Sequence, residues 1–141
     1  MWESRILNLG DDTILVECGP MRLFIDGSRS GTRKPELCAE AARQAIGYLI
    51  EIAEDMHRLQ NPAAVSPRPN PLGRLGQAMW QAASLIGDAD LTPMAAVAGV
   101  IADATADFLW TEGLTRVIVN NGGDLALRVG SGETVTVGIR D

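Results

Sequence analysis

From Thr92 to Asp103 the chain reads Thr-Pro-Met-Ala-Ala-Val-Ala-Gly-Val-Ile-Ala-Asp, with no charge before the last residue. Thr92 suits a helix cap and Pro93 suits the first turn, so a helix is expected to begin here and to reach about Trp110. Up to Asp103 this helix is apolar on every face, and such a helix is expected to be buried all round. The remaining chain must therefore supply layers that enclose it. Gly99 costs about 1 kcal/mol against alanine in a helix interior, which a gain in packing or in ligand access offsets. The helix start also presents free N–H groups and a partial positive charge, which suit a phosphate.

The 141 residues are enough for one domain with a real core, so residues 1–141 are read as a single unit. Three short apolar runs open the chain, at residues 5–9, 13–18 and 21–25. Gly10-Asp11-Asp12 and Gly19-Pro20 separate them, and both are turn chemistry, so an antiparallel meander is predicted. Residues 26–33, with two glycines, two serines and two arginines, read as a connecting loop. Pro35 opens the longest predicted helix, residues 35–59. Cys38, Ala42, Ala45, Ile46, Leu49, Ile52, Ala53, Met56 and Leu59 form its apolar face. Residues 61–71 hold four prolines (62, 67, 69 and 71) and read as a linker. A second helix follows over residues 72–86, with Gly87 as its stop.

Three strands are expected to close the chain, at residues 116–120, 125–129 and 134–139. Val135, Val137 and Ile139 alternate with Thr134, Thr136 and Gly138 in a half-buried pattern. Between the first two strands lies Asn120-Asn121-Gly122-Gly123-Asp124. Two glycines there let the backbone come close to something flat or charged. On local pattern alone, Asn121-Gly122 reads as the centre of a type I′ hairpin turn.

The net charge of −6 argues against nucleic acid or an anionic membrane as partner. No apolar run is read as long enough to cross a bilayer, which takes ~20 residues, and the N-terminus lacks a signal pattern. The two cysteines, Cys18 and Cys38, sit in no metal-ligand spacing and read as reduced thiols of a cytoplasmic protein. His57 falls on the polar side of its helix and takes no catalytic role.

Three motifs fall in a fixed order: Val97 to Asp103, Val117 to Asp124 and Val135 to Asp141. Together they resemble the ApbE superfamily, whose founding members are FAD:protein FMN transferases with an "AKGYAVD"-type helix, a "VNLGGD"-type turn and a "VGIRD"-type strand. The wording from Thr92 to Gly99 is closer to a bacterial and archaeal branch in which "GPMAAVAGAIA" precedes "VENGGD". The resemblance is strong from Leu91 to Asp141 and weaker before it. It implies an α/β (α+β) fold with helices packed against a mixed or antiparallel sheet, and with the C-terminal part of the family fold absent from this chain.

The resemblance further implies a flavin site. Gly99 and Asp103 match the helix motif, and Gly122, Gly123 and Asp124, with Asn121 before them, match the turn that approaches the dinucleotide. Gly138, Ile139, Arg140 and Asp141 match the strand beside it. The main-chain carbonyl of Ala95 matches one magnesium ligand. FAD and magnesium are thus the implied cofactors, and a flavin or nucleotide is the implied small-molecule partner. Ala98 stands where the transferases carry lysine, so a cation that helps hold the nucleotide is missing. Two readings stay open. One is a flavin-handling, magnesium-dependent transferase. The other is a non-catalytic ligand-binding or assembly module of the same fold, working as a homo-oligomer or with a complementary C-terminal segment.

Overall fold

Alternation along one strand sets the architecture. Met21, Leu23 and Ile25 are buried, Arg22 between them is exposed, and Phe24 is half-buried. One face of this strand therefore belongs to the core and the other looks outward. The computed structural model describes residues 2–140. Its strands are β1 (Ser4–Asn8), β2 (Ile14–Cys18), β3 (Met21–Arg29), β4 (Thr32–Arg33), β5 (Arg116–Asn121) and β6 (Asp124–Val129). Its helices are α1 (Pro35–Asp55), α2 (Arg74–Ile86) and α3 (Val97–Thr111), with 3₁₀ turns at Met56–Arg58 and Pro93–Ala96.

The sheet runs β1-β2-β3-β5-β6, with β4 hydrogen-bonded to the end of β3. Every pairing is antiparallel. The core face is lined by Ile14, Val16, Leu23, Ile25, Val117 and Val119, all essentially buried. Against it α1 lays Cys38, Ala42, Ala45, Leu49 and Ile52. α3 contributes Ile101, Ala102, Thr105 and Leu109. The result is an α+β fold, three helices on one open antiparallel sheet.

The structure departs from the sequence expectation in four places. Residues 26–29 continue β3, and the loop shrinks to the turn at Ser30 and Gly31, both with positive φ. Gly27 explains this. A Cβ there would lie 2.5 Å from Leu114 Cδ2 and 2.9 Å from Cys38 Sγ, so the missing side chain lets α1 and the end of α3 close on the strand. Arg29, next along, spans to the far end of α3. Its Nη2 donates to the Glu112 carbonyl (2.6 Å) and its Nε to the Gly113 carbonyl (3.2 Å), two acceptors at the helix C-terminus.

The expected strand over residues 134–139 is absent from the sheet. A turn closed by Glu133 N to the Gly130 carbonyl carries the chain away from β6, and Arg116 Nε takes the Thr134 carbonyl. Side-chain alternation marks a segment fit for a strand, but the pairing itself needs a backbone partner, and Ile139 stands 92% exposed.

The start of the apolar helix is not enclosed. Residues 93–96 form a 3₁₀ turn without a side-chain cap from Thr92. Val97, Ala98, Gly99 and Val100 are only half-buried, and full burial begins at Ile101. The sheet, α1 and α2 all pack on this segment, and its first helical turns still keep a partly open side. The 19 residues Pro93–Thr111, with mean hydropathy 1.2, are by length and composition enough to cross a membrane, which corrects the expectation that no apolar run is. In the fold this segment packs against α1, α2, β5 and β6. Finally, α1 ends at Asp55, four residues before the predicted stop, where the buried Asp55 carboxylate turns to accept Gly73 N (2.8 Å) at the head of α2.

Because Gly27 seats α1, Gly27→Ala forces overpacking between β3, Cys38 and Leu114. Chemical denaturation is expected to show a loss of about 1–3 kcal/mol, whereas Gly31→Ala, at an open turn, leaves the α1 contact unchanged.

Candidate functional site

The glycine corner and the apolar helix meet. β5 and β6 form a hairpin in which Asn121 pairs with Asp124. Gly122 and Gly123 are therefore its two central residues, one step later than the local pattern suggests, and both have positive φ (62° and 105°). Asn120 Oδ1 accepts from Gly123 N at 2.9 Å and pins the turn. A Cβ on either glycine would meet nothing within 4 Å, so the corner faces open space. No protein group accepts from Gly122 N among the described residues, which leaves it without an internal partner.

Two contacts join this corner to α3. Asn121, 7% exposed, points to the core face, and its Nδ2 donates to the Ala98 carbonyl at 3.1 Å. Asp124 Oδ2 lies 3.9 Å from where a Gly99 Cβ would sit. Further along, Arg128 Nη2 reaches Asp107 Oδ1 at 2.8 Å and Asp103 Oδ1 at 3.5 Å. Gly99, Asp103 and Asp107 thus form an i, i+4, i+8 stripe over the strand stripe Asp124, Ala126, Arg128. The rises explain the match. Eight helical residues advance about 12 Å, and four strand residues advance about 13 Å. The helix lies along β6 in one register, and Gly99 is held over Asp124.

This register also brings Asp103 to Arg128. The resemblance implies a place for Asp103 on the ligand; in the fold its carboxylate is two-thirds exposed and lies 3.5 Å from Arg128 Nη2. Exposed pairs of this kind contribute about 0–1 kcal/mol, so the pair follows the register that the packed faces set.

The other residues implied by the resemblance are dispersed. Gly138, Ile139 and Arg140 lie in the exposed segment beyond Thr134, away from any sheet pairing. Asp141 lies outside the described residues. Ala95 sits in the 3₁₀ turn and lines a shallow apolar hollow of about 150 Å³ with Ala82, Ala83, Ile86, Leu91 and Ala96. Magnesium requires several oxygen ligands in near-octahedral array. None of those side chains supplies one, and no cluster of three His, Cys, Asp or Glu suited to a metal occurs among the described residues. The residues present do not fit a magnesium centre.

A second hollow of about 110 Å³ is lined by both partners of the Asn121–Ala98 contact together with Pro20, Met21, Leu49, Val97 and Ile101. Sequence reasoning missed its floor, because Met21 and Leu49 come from distant elements and carry no motif. Neither cysteine offers a nucleophile. Cys18 and Cys38 are both buried and free. Burial, and then the negative charge of Asp26, push the Cys38 thiol up to about 12.

With this geometry in view, the comparisons place the chain. Residues 4–141 match the family described as AbpE bacteria, nearly the whole length, and the chain belongs to that family. No curated protein and no solved structure matches it.

Two outcomes follow from the site. Asn121→Ala removes the one side-chain hydrogen bond from the corner to α3 and is expected to cost about 0.5–1.5 kcal/mol in denaturant melts. Cys38 is expected to resist a soluble thiol reagent at mildly alkaline pH in the native protein and to react at once in denaturant, read by mass spectrometry of the labelled peptide.

Proposed function

We propose that this member of the AbpE bacteria family is a flavin-nucleotide-binding protein of ApbE-like architecture. Its ligand, FAD or FMN, lies against Gly99, Asn121, Gly122, Gly123 and Asp124. The observation that carries the reading is the meeting of an uncovered helix glycine and an open double-glycine turn, with one carboxylate between them. The ordered resemblance to the ApbE superfamily supplies the ligand class.

The chemistry of the corner suits this ligand. Gly99 leaves a surface without a side chain, on which a flat ring or a ribose can rest. Gly122 N can donate to a phosphate or carbonyl oxygen. Asp124 accepts from a ribose hydroxyl or from the ring imide N–H. The adjoining hollow of about 110 Å³ is smaller than a typical ligand pocket of roughly 300–1,000 Å³. The corner therefore grips one edge of the nucleotide.

Binding, and not FMN transfer, is the activity this chain's residues support. Ala98 supplies no cation for the phosphates, and the donor set around Ala95 does not suit magnesium. We place the protein in the cytoplasm, a reading that its two free cysteines support. An assembly role is the second reading. It draws on the half-exposed apolar turns at Val97 and Val100, which a second copy or a complementary segment would cover.

Titration of FAD and of FMN, followed by quenching of flavin fluorescence, tests the proposal. Saturable binding is expected for the native chain. Gly99→Ala introduces only an ordinary contact with Asp124, so it is expected to raise helix stability by about 1 kcal/mol. Gly99→Val is expected to keep the circular-dichroism spectrum and weaken binding at least about tenfold, the cost of ~1.4 kcal/mol. Absence of saturation with both flavins, or equal affinity of Gly99→Val and native protein, would falsify the reading.

A further inference from the structure

A larger hollow than those at the glycine corner lies elsewhere, between the end of α1, the proline-rich segment and α2. It measures about 400 Å³ and is lined by Arg58, Asn61, Ser66, Arg68, Asn70 and Trp80, with two prolines completing its wall. Two guanidiniums, two amides and a hydroxyl face one space with no carboxylate among the lining residues. On a chain of net charge −6, such a concentration of donors is a local reversal of sign.

Both arginines are set in place by other parts of the fold. Asp55, 8% exposed, holds Arg58 Nη1 through its Oδ1 at 3.3 Å, while its Oδ2 accepts from Gly73 N. That leaves the remaining guanidinium N–H groups of Arg58 free to donate. Arg68 lies over the Trp80 ring, 5.8 Å from its centroid. Stacking of this kind orients the guanidinium plane without using its N–H groups. Arg68 has no carboxylate partner among the described residues. Neither Asn61, Ser66 nor Asn70 makes a side-chain hydrogen bond within the protein among the described residues. Two oriented forks with free N–H groups suit an oxyanion with several acceptors, and the amides and hydroxyl suit the polar remainder of a small molecule.

We propose that this hollow binds a small organic phosphate, with the phosphate held between Arg58 and Arg68 and the organic part against Trp80. The site is separate from the glycine corner and does not rest on the flavin reading.

Trp80 provides the signal. Phenyl phosphate, inorganic phosphate and succinate are titrated in turn at constant ionic strength, with tryptophan fluorescence as readout and Trp80→Phe as the control that removes the response. The expected result is a saturable response to phenyl phosphate below about 10 mM, since the hollow is open and millimolar binding needs only ~4 kcal/mol. Arg68→Gln and Arg58→Gln are each expected to weaken it about tenfold, with circular dichroism unchanged. Gly99→Val, at the other site, is expected to leave it as it was. Failure of every probe to saturate overturns the proposal, as does undiminished affinity in both arginine variants. Saturation with succinate alone overturns the phosphate assignment, and loss of binding in Gly99→Val overturns the claim of a separate site.

Discussion

The fold turns on how α3 lies along the edge hairpin. A helix and a strand advance at different rates per residue, and they stay in step only where every fourth residue of one meets every second residue of the other. Here the buried Ala102 and Ala106 of α3 and Ala126 of β6 set that step, and the Arg128 fork, shared between Asp107 and Asp103, falls in with it. Asn121 ties it at the opposite end through the Ala98 carbonyl. Between these two ties Gly99 has one position available to it, above Asp124. If the helix slid by one turn, the glycine would pass beyond the corner and an alanine or aspartate would take its place.

The same arrangement explains why the core is built from small residues. Ala41, Ala42 and Ala45 of α1 are wholly buried, as are Ala102 and Ala106 of α3. Helices with such faces pack closely against each other and against the sheet, and Gly27 carries the principle into β3. Close packing of this kind obtains its stability from many short contacts.

Much of this was legible in the residues. The alternation Met21, Leu23, Ile25 announced a half-buried strand, and the apolar stripe from Cys38 to Ile52 announced the face of α1. Pro35 and Gly87 marked a start and a stop that the backbone respects. What could not be read was anything that depended on a distant partner. Gly27 looked like loop chemistry because nothing local reveals that Cys38 and Leu114 close over it. Nothing local to Asp103 reveals that Arg128, twenty-five positions later, lies beside its carboxylate. Val135 and Val137 carried a strand's pattern, but pattern does not supply a neighbouring backbone. The polar hollow at Arg58 and Trp80 was invisible for the same reason, since its lining comes from the end of a helix, a linker and a second helix.

The burial of Asn121 has a consequence for the lifetime of the molecule. An asparagine followed by glycine is ordinarily the pair most prone to deamidation, because an unhindered Gly122 amide can attack the side-chain carbonyl and expel ammonia. In this hairpin the carboxamide is drawn inward and its nitrogen is tied to the Ala98 carbonyl. The ring closure that begins the ageing reaction would have to break that tie and swing the group out of the core. The bond that aligns helix and turn therefore also slows the clock on the most perishable dipeptide in the chain.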